Sequence, residues 1–241
     1  DNTFKFDIAF INNDINLFDN INATHKIAIS HSIQTLEKFL RQKQLLAYLK
    51  HKPKIVFLGD YHIKSRSFLL KIFGSIKINW CAEKIFTETS LNSKKIDLNK
   101  AIFTSYQDRN LNLLIDIWKD YIFPKNKKYK LFITPINRNL NKFNIFNRSF
   151  SSKKIMIQDM KSSRLYLNPG HKGEVFCLAA EEARELCIPT VTLGIGSLSE
   201  RVDHNKTGFI ANSNKQFSEY AHELFTNNEL WKKFRNNLIK K

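Results

Sequence analysis

Apolar positions along the chain fall into two successive series of short continuous runs separated by helical stripes. Residues 4–11 read as a strand, an Asn-rich polar stretch follows, and residues 26–30 read as a second strand with His31 at its C-terminal end. Ile33, Leu36, Leu40, Leu45, Leu46 and Leu49 have the spacing of one helix over 33–49. A third strand is expected at 54–58, a helix at 65–73 and a fourth strand at 76–80. Residues 87–99 are polar and lack periodicity, which predicts an interdomain linker. The second series has strands at 101–104 and 130–134 with a helix at 111–121 between them, then an irregular Asn-rich stretch. It continues with a helix at 153–160, a strand at 164–169, a helical pattern through Leu186 that Pro189 stops, and a strand at 190–193. Two amphipathic helices, 217–225 and 230–238, close the chain. Short apolar strands alternating with helices predict parallel sheets covered on both faces. The expected fold is therefore α/β, with two Rossmann-like domains at 1–95 and 96–241.

Composition narrows the classes. Hydrophobic residues make up 42% of 241, enough for a proper core, and no apolar run reaches the roughly 18–20 residues needed to span a bilayer. Cys81, Cys177 and Cys187 have neither metal-ligand spacing nor an even count, and suit buried thiols in a reducing, cytoplasmic setting. The net charge of +17 is spread over both halves, with 15 Lys/Arg against 8 Asp/Glu in residues 1–95 and 24 against 14 in the remainder. Such a basic body favours phosphorylated substrates, anionic headgroups or nucleic acid. No aromatic–basic RNA motif or recognition-helix pattern accompanies it, so nucleic acid is the least favoured of these. The first residues, Asp1-Asn2-Thr3, are not an initiator Met, which suggests further sequence upstream.

The stretch from Gly170 to Ala183 carries the chemistry. An apolar strand precedes it, a glycine-bearing loop opens it, and a helix and another strand follow, making a β-loop-α-β unit. The free N–H groups and dipole of that helix N-terminus favour phosphate. Glu174 sits in the loop and Glu182 about two turns along the helix, so one carboxylate reaches beyond the phosphates and the other toward a ribose. The sequence contains no Asp-x-Asp and no acidic metal-ligand cluster.

Glu174-Val175-Phe176-Cys177-Leu178-Ala179-Ala180-Glu181-Glu182-Ala183 resembles the Glu-x7-Glu signature of the family 4 glycosyltransferases. Ile188-Pro189-Thr190-Val191-Thr192, Gly196 through Val202 and Lys206-Thr207-Gly208-Phe209-Ile210 resemble the family's following strand and turns, in the same order. The resemblance covers residues 100–241 and, more faintly, Phe6-Asp7-Ile8-Ala9 and Ile27 through His31. It implies a GT-B architecture whose first domain is incomplete, since a family N-domain would be about a hundred residues longer.

The resemblance also implies roles. Arg109 matches a Lys of the family's diphosphate loop, where a guanidinium pairs bidentately with phosphate. Ser105 or Thr104 stands in the place of the preceding Arg, and His171 or Lys172 would supply the lost charge. Glu174 would face the donor sugar, and the backbone N–H groups of Phe176, Cys177 and Leu178 would meet sugar and phosphate. Glu182 would hold the ribose hydroxyls, and His31 would lie near the anomeric carbon. Catalysis thus falls to His31, Glu174 and Arg109. The implied activity is transfer of a hexose, with retention and without metal or other cofactor, from a nucleotide-diphosphate sugar. The acceptor would be a glycan or lipid-linked precursor of a cell-surface polysaccharide, with peripheral contact at an anionic inner membrane face. The alternative is a GT-B-like module that binds nucleotide or polyanion without turnover.

Overall fold

The computed structural model describes residues 4–88, 96–149 and 152–240 and divides into two compact units, 1–80 with 173–176, and 81–172 with 177–241. The first unit holds a four-stranded parallel sheet in the order β1 (Phe6–Asn12), β2 (Ala23–Ile29), β3 (Lys54–Phe57), β4 (Ser75–Lys77). Its core gathers Ala9 and Ile11 from β1, Ile15 and Phe18 from the turn after it, and Phe39, Tyr48, Ile55 and Phe57. The Asn-rich segment after β1 is thus a 3-10 turn, capped by Asp14, that drops Ile15 and Phe18 into the core. The expected helix over 33–49 is instead two, α1 (Leu36–Arg41) and α2 (Leu45–His51). The polar run Gln42-Lys43-Gln44 breaks it, with Lys43 in the left-handed region at φ 54°. The helix expected at 65–73 is displaced to α3 (Asp60–Lys64), which starts from Gly59, and only a 3-10 turn, Phe68–Lys71, follows. The strand expected at 76–80 is shorter and earlier, Ser75–Lys77.

The second unit holds six parallel strands in the order β10 (Gly208–Ile210), β9 (Thr190–Thr192), β8 (Ser163–Leu167), β5 (Asp97–Ile102), β6 (Lys130–Ile133), β7 (Ile145–Asn147). Side chains of period two divide each strand between two cores. Ala101, Leu131, Leu165, Leu167 and Val191 pack with α5 (Leu111–Ile117), α8 (Asn214–Thr226) and α9 (Asn228–Ile239). Ile102 and Tyr166 pack on the other face with α4 (Lys84–Thr87), α6 (Lys153–Lys161) and α7 (Leu178–Glu185). Covered on both sides, β8 is buried at all five positions.

Three expectations shift here. The boundary placed at 95/96 falls at 80/81, because Ala82 and Phe86 join the core of α6 and α7. Of the expected linker, 89–95 lie outside the described residues, while Asp97–Asn99 already run in β5, with Asp97 Oδ2 accepting from Lys130 Nζ at 3.0 Å. The irregular Asn-rich stretch contains β7, anchored by buried Ile145.

Candidate active site

The sheet of the second unit winds first from β5 to β6 and β7, then returns to lay β8, β9 and β10 on the opposite side of β5. The order therefore reverses between β5 and β8, and loops leaving the carboxyl ends of two such strands diverge into a crevice. Here those loops are 103–110 and 168–172, and they hold Ser105, Arg109, His171 and Lys172 among the residues singled out from the sequence.

A buried amide sets the floor. Asn168, with no exposed surface, donates through Nδ2 to Ser105 Oγ at 3.2 Å, Tyr166 Oη at 3.1 Å and Cys177 Sγ at 3.7 Å. Its Oδ1 accepts the N–H of Gly170 at 2.9 Å. One side chain thus fixes the end of β5, the loop after β8 and the start of α7. Gly170 is required by both space and torsion: it has φ +92°, and a Cβ there would lie 2.3 Å from the carbonyl oxygen of Ile195. Asn110, itself left-handed at φ 59°, donates to the Gly170 carbonyl at 2.5 Å and joins the two loops.

On that floor Arg109 and His171 meet, Nη1 to Nδ1 at 3.3 Å. A guanidinium can only donate, so Nδ1 accepts and the ring's proton sits on Nε2. Two donors, the remaining guanidinium N–H groups and His171 Nε2–H, are thereby gathered on one side of the crevice. Lys172 beside them is exposed. Ser105, expected to meet the donor, is buried, with Oγ held by Tyr166 and Asn168. Its position in this polar floor leaves Arg109 as the cation and His171 as its donor neighbour.

Helix α7 begins at Cys177, whose φ of 49° is left-handed, and the N–H groups of Ala180 and Glu181 both donate to the Cys177 carbonyl at 3.2 Å. The N–H groups ahead of them precede the first intrahelical bonds. Glu181 is buried and paired with Arg184 and Arg201 at 3.3 and 3.2 Å, so it supports the helix from behind. Glu182 differs: burial, reinforced by Glu83 and opposed by Lys153, raises its carboxyl to about 7. Glu83 and Lys153 form their own ion pair.

The remaining candidates lie in the first unit. His31 follows β2; its N–H donates to Asn13 Oδ1 at 2.8 Å, and Nε2 lies 3.2 Å from Asn12 Oδ1. Its ring rests 4.8 Å from that of Trp80, which in turn is 6.2 Å from Phe176. Glu174 belongs to the segment 173–176, where Val175 and Phe176 are buried with Leu58. Burial lowers His31 from the ordinary imidazole value, leaving it neutral near pH 7. His62, fully buried and lowered to about 4 by burial, accepts the Leu58 N–H at 3.2 Å and donates to the Ser32 carbonyl at 3.0 Å. It thereby fixes the turn that carries His31. Asn12, Asn13, His62, Trp80, Asn110 and Asn168 were not singled out from the sequence. An amide after an apolar run was the one available signal, and asparagine is too abundant here for it to stand out.

Residues 125–241 match the family described as glycosyl transferases group 1. The match covers 117 of the 241 residues. Solved structures of similar fold are GT-B proteins at low identity. TarM from Staphylococcus aureus, in complex with fondaparinux, α-GlcNAc-glycerol and UDP, has a TM-score of 0.72 and 16% identity over 91% of this chain and 48% of its own. The pneumococcal O-GlcNAc transferase GtfA, with UDP and GlcNAc, gives 0.68 and 12% over 90% of this chain and 48% of its own. Anabaena HepE, with UDP and glucose, gives 0.68 and 11% over 96% and 72%. The chain thus spans about half the length of the first two. No curated protein matches by sequence. The crevice lies between the segment that matches the family and the strand that pairs with it, β5.

Proposed function

We propose that the protein transfers a hexose from a nucleotide-diphosphate sugar to a glycan or lipid-linked acceptor, with retention and without a metal ion. The observation that carries this reading is the pair Arg109–His171, brought together where the strand order reverses. A diphosphate leaving group develops negative charge as the glycosidic bond breaks, and prearranged donors stabilise it in the transition state more than in the ground state. Arg109, His171 Nε2–H and the first N–H groups of α7 are such donors, and Lys172 adds charge at the rim. Glu182 takes the ribose diol, Glu174 the donor sugar, and neutral His31 the reacting side of the acceptor. The similar structures that hold UDP support a uridine donor among the candidates. No described helix is long and apolar enough to cross a membrane. A basic body of net charge +17 suits peripheral contact with an anionic membrane face. A second reading, binding without turnover, draws on Ser105, whose buried hydroxyl leaves one cation fewer for the diphosphate.

Calorimetric titration with UDP, GDP, ADP and their sugars tests the donor site. One nucleotide should bind saturably, and Glu182→Ala should weaken it about tenfold, whereas Glu174→Ala should spare binding and abolish turnover. Because ribose hydroxyls donate to the ionised carboxylate, affinity should fall as pH drops below about 7, and the dependence should vanish in Glu182→Gln. A pH-independent affinity with equal losses in both alanine variants would overturn these roles.

A further inference from the structure

The helix layer of the first unit turns apolar side chains outward as well as inward. Inward, Ala47 and Tyr48 of α2 and Leu70 of the 3-10 turn after α3 join the core. Tyr48 ties the two elements together: its hydroxyl donates to the Leu70 carbonyl at 2.8 Å, and its ring lies 5.0 Å from that of Phe73. Outward, Leu46 and Leu49 of α2 are 81% and 45% exposed, and Phe68, Leu69 and Ile72 are 77%, 54% and 55% exposed. The core uses one side of this layer, and five large apolar side chains stand on the other. Helix α2 ends just before β3, which is parallel to β2. Its outer side therefore runs along the sheet toward the amino ends of the strands, away from the carboxyl end that carries His31.

Charge in the same stretch is one-sided. Residues 41–73 carry eight Lys/Arg and a single acidic residue, Asp60, which pairs with Lys77. Lys50 pairs with Asp19, whereas Arg41, Lys43, Lys52, Lys54 and Lys64 are exposed and enter no ion pair among the described residues. Exposed apolar groups among polar ones mark an interaction surface, and the charge selects the partner. A second copy would bring two strongly positive stretches together, which like-charge repulsion opposes. A nucleic acid would use the cations, but its bases stack on aromatic faces, and four of the five apolar side chains are aliphatic. An anionic bilayer uses both sets. Aliphatic and phenyl side chains enter the boundary between headgroups and acyl chains, while Lys and Arg stay among the headgroups with their stems along the apolar surface.

We propose that α2, the turn Phe68–Lys71 and Ile72 form the surface that docks this protein on an anionic phospholipid bilayer. The assignment rests on the peripheral membrane contact proposed above and names the face that makes it. The 241-residue chain is sedimented with vesicles of equal parts phosphatidylglycerol and phosphatidylcholine, and with vesicles of phosphatidylcholine alone. Binding to the mixed vesicles should be about tenfold tighter or more. Phe68→Ser with Leu69→Ser should weaken it about fivefold at both low and high salt. Lys52→Gln with Lys64→Gln should weaken it about fivefold at low salt and flatten its salt dependence. All four side chains are exposed, so both variants should keep the melting temperature and nucleotide affinity of the unchanged protein. The lysine variant remains informative even if the serine variant does not fold. Lys232→Gln with Lys233→Gln, exposed on α9 in the second unit, is the control and should bind vesicles within about twofold of the unchanged protein. An equal loss in the α9 variant, or full binding by the lysine variant, would overturn this surface and leave the membrane contact standing. No binding to either vesicle would overturn both.

Discussion

The two sheets of this molecule are built from similar apolar strands and bury them differently. In the second unit β8 is buried at every position, and clusters of large side chains cover both faces of the sheet. In the first unit, the edge strand β1 buries Ala9 and Ile11, while Phe6, Ile8 and Phe10 on its other face are 58%, 49% and 62% exposed. Edge strands that stay soluble are commonly guarded by charge, proline or cover, and β1 offers only Asp7 among its apolar residues. The contrast teaches that an apolar run marks a strand without saying whether both of its faces are covered.

The sharpest break of this comparison is a pair of truncations. Tyr166→Ala removes a fully buried ring whose hydroxyl joins the Asn168 network, and should cost about 3–5 kcal/mol in urea unfolding. Phe10→Ala in β1 should cost about 0.5 kcal/mol or less, since most of that ring already meets water. Comparable losses would mean that β1 is covered in solution. The second break compares glycines of similar torsion. Gly170→Ala should cost about 2–4 kcal/mol and abolish nucleotide binding, because its Cβ would strike the Ile195 carbonyl. Gly74→Ala, with φ +87° but open space around the Cβ, should cost only about 1 kcal/mol by thermal melt. The smallest effect is colloidal: Phe10→Lys should leave the melting temperature almost unchanged while lowering self-association in light scattering. Unaltered self-association would remove β1 as its source.

Much of the second unit was legible, because buried parallel strands read as continuous apolar runs and helix stops fall at Pro189 and at the polar residues between α8 and α9. The Glu174–Glu182 stretch gave the loop and helix, though not the left-handed torsion of Cys177 between them. What stayed hidden were interactions across distance. Asn168 is an ordinary asparagine until Ser105, 63 residues earlier, folds against it. The first unit was read less well: Gln42-Lys43-Gln44 breaks a stripe whose leucines kept perfect helical spacing, and α3 starts at Gly59 in a stretch without an apolar period. Local polarity and backbone torsion prevailed there over hydrophobic periodicity.

The pairing of β5 with β8 has a kinetic consequence. These central strands are adjacent in the sheet, yet Asn110 and the Gly170 carbonyl that it meets are 60 residues apart in the chain. A parallel contact of that span must close a long loop before any bond rewards it, and such pairings form slowly. During synthesis the loop bearing Arg109 emerges well before its partner. Its hydrogen bond to His171 can exist only after β6, β7 and α6 have been made and β8 has returned to lie alongside β5. The Arg109–His171 end of this sheet therefore waits on the β5–β8 pairing and is a reporter of any failure in that step of folding.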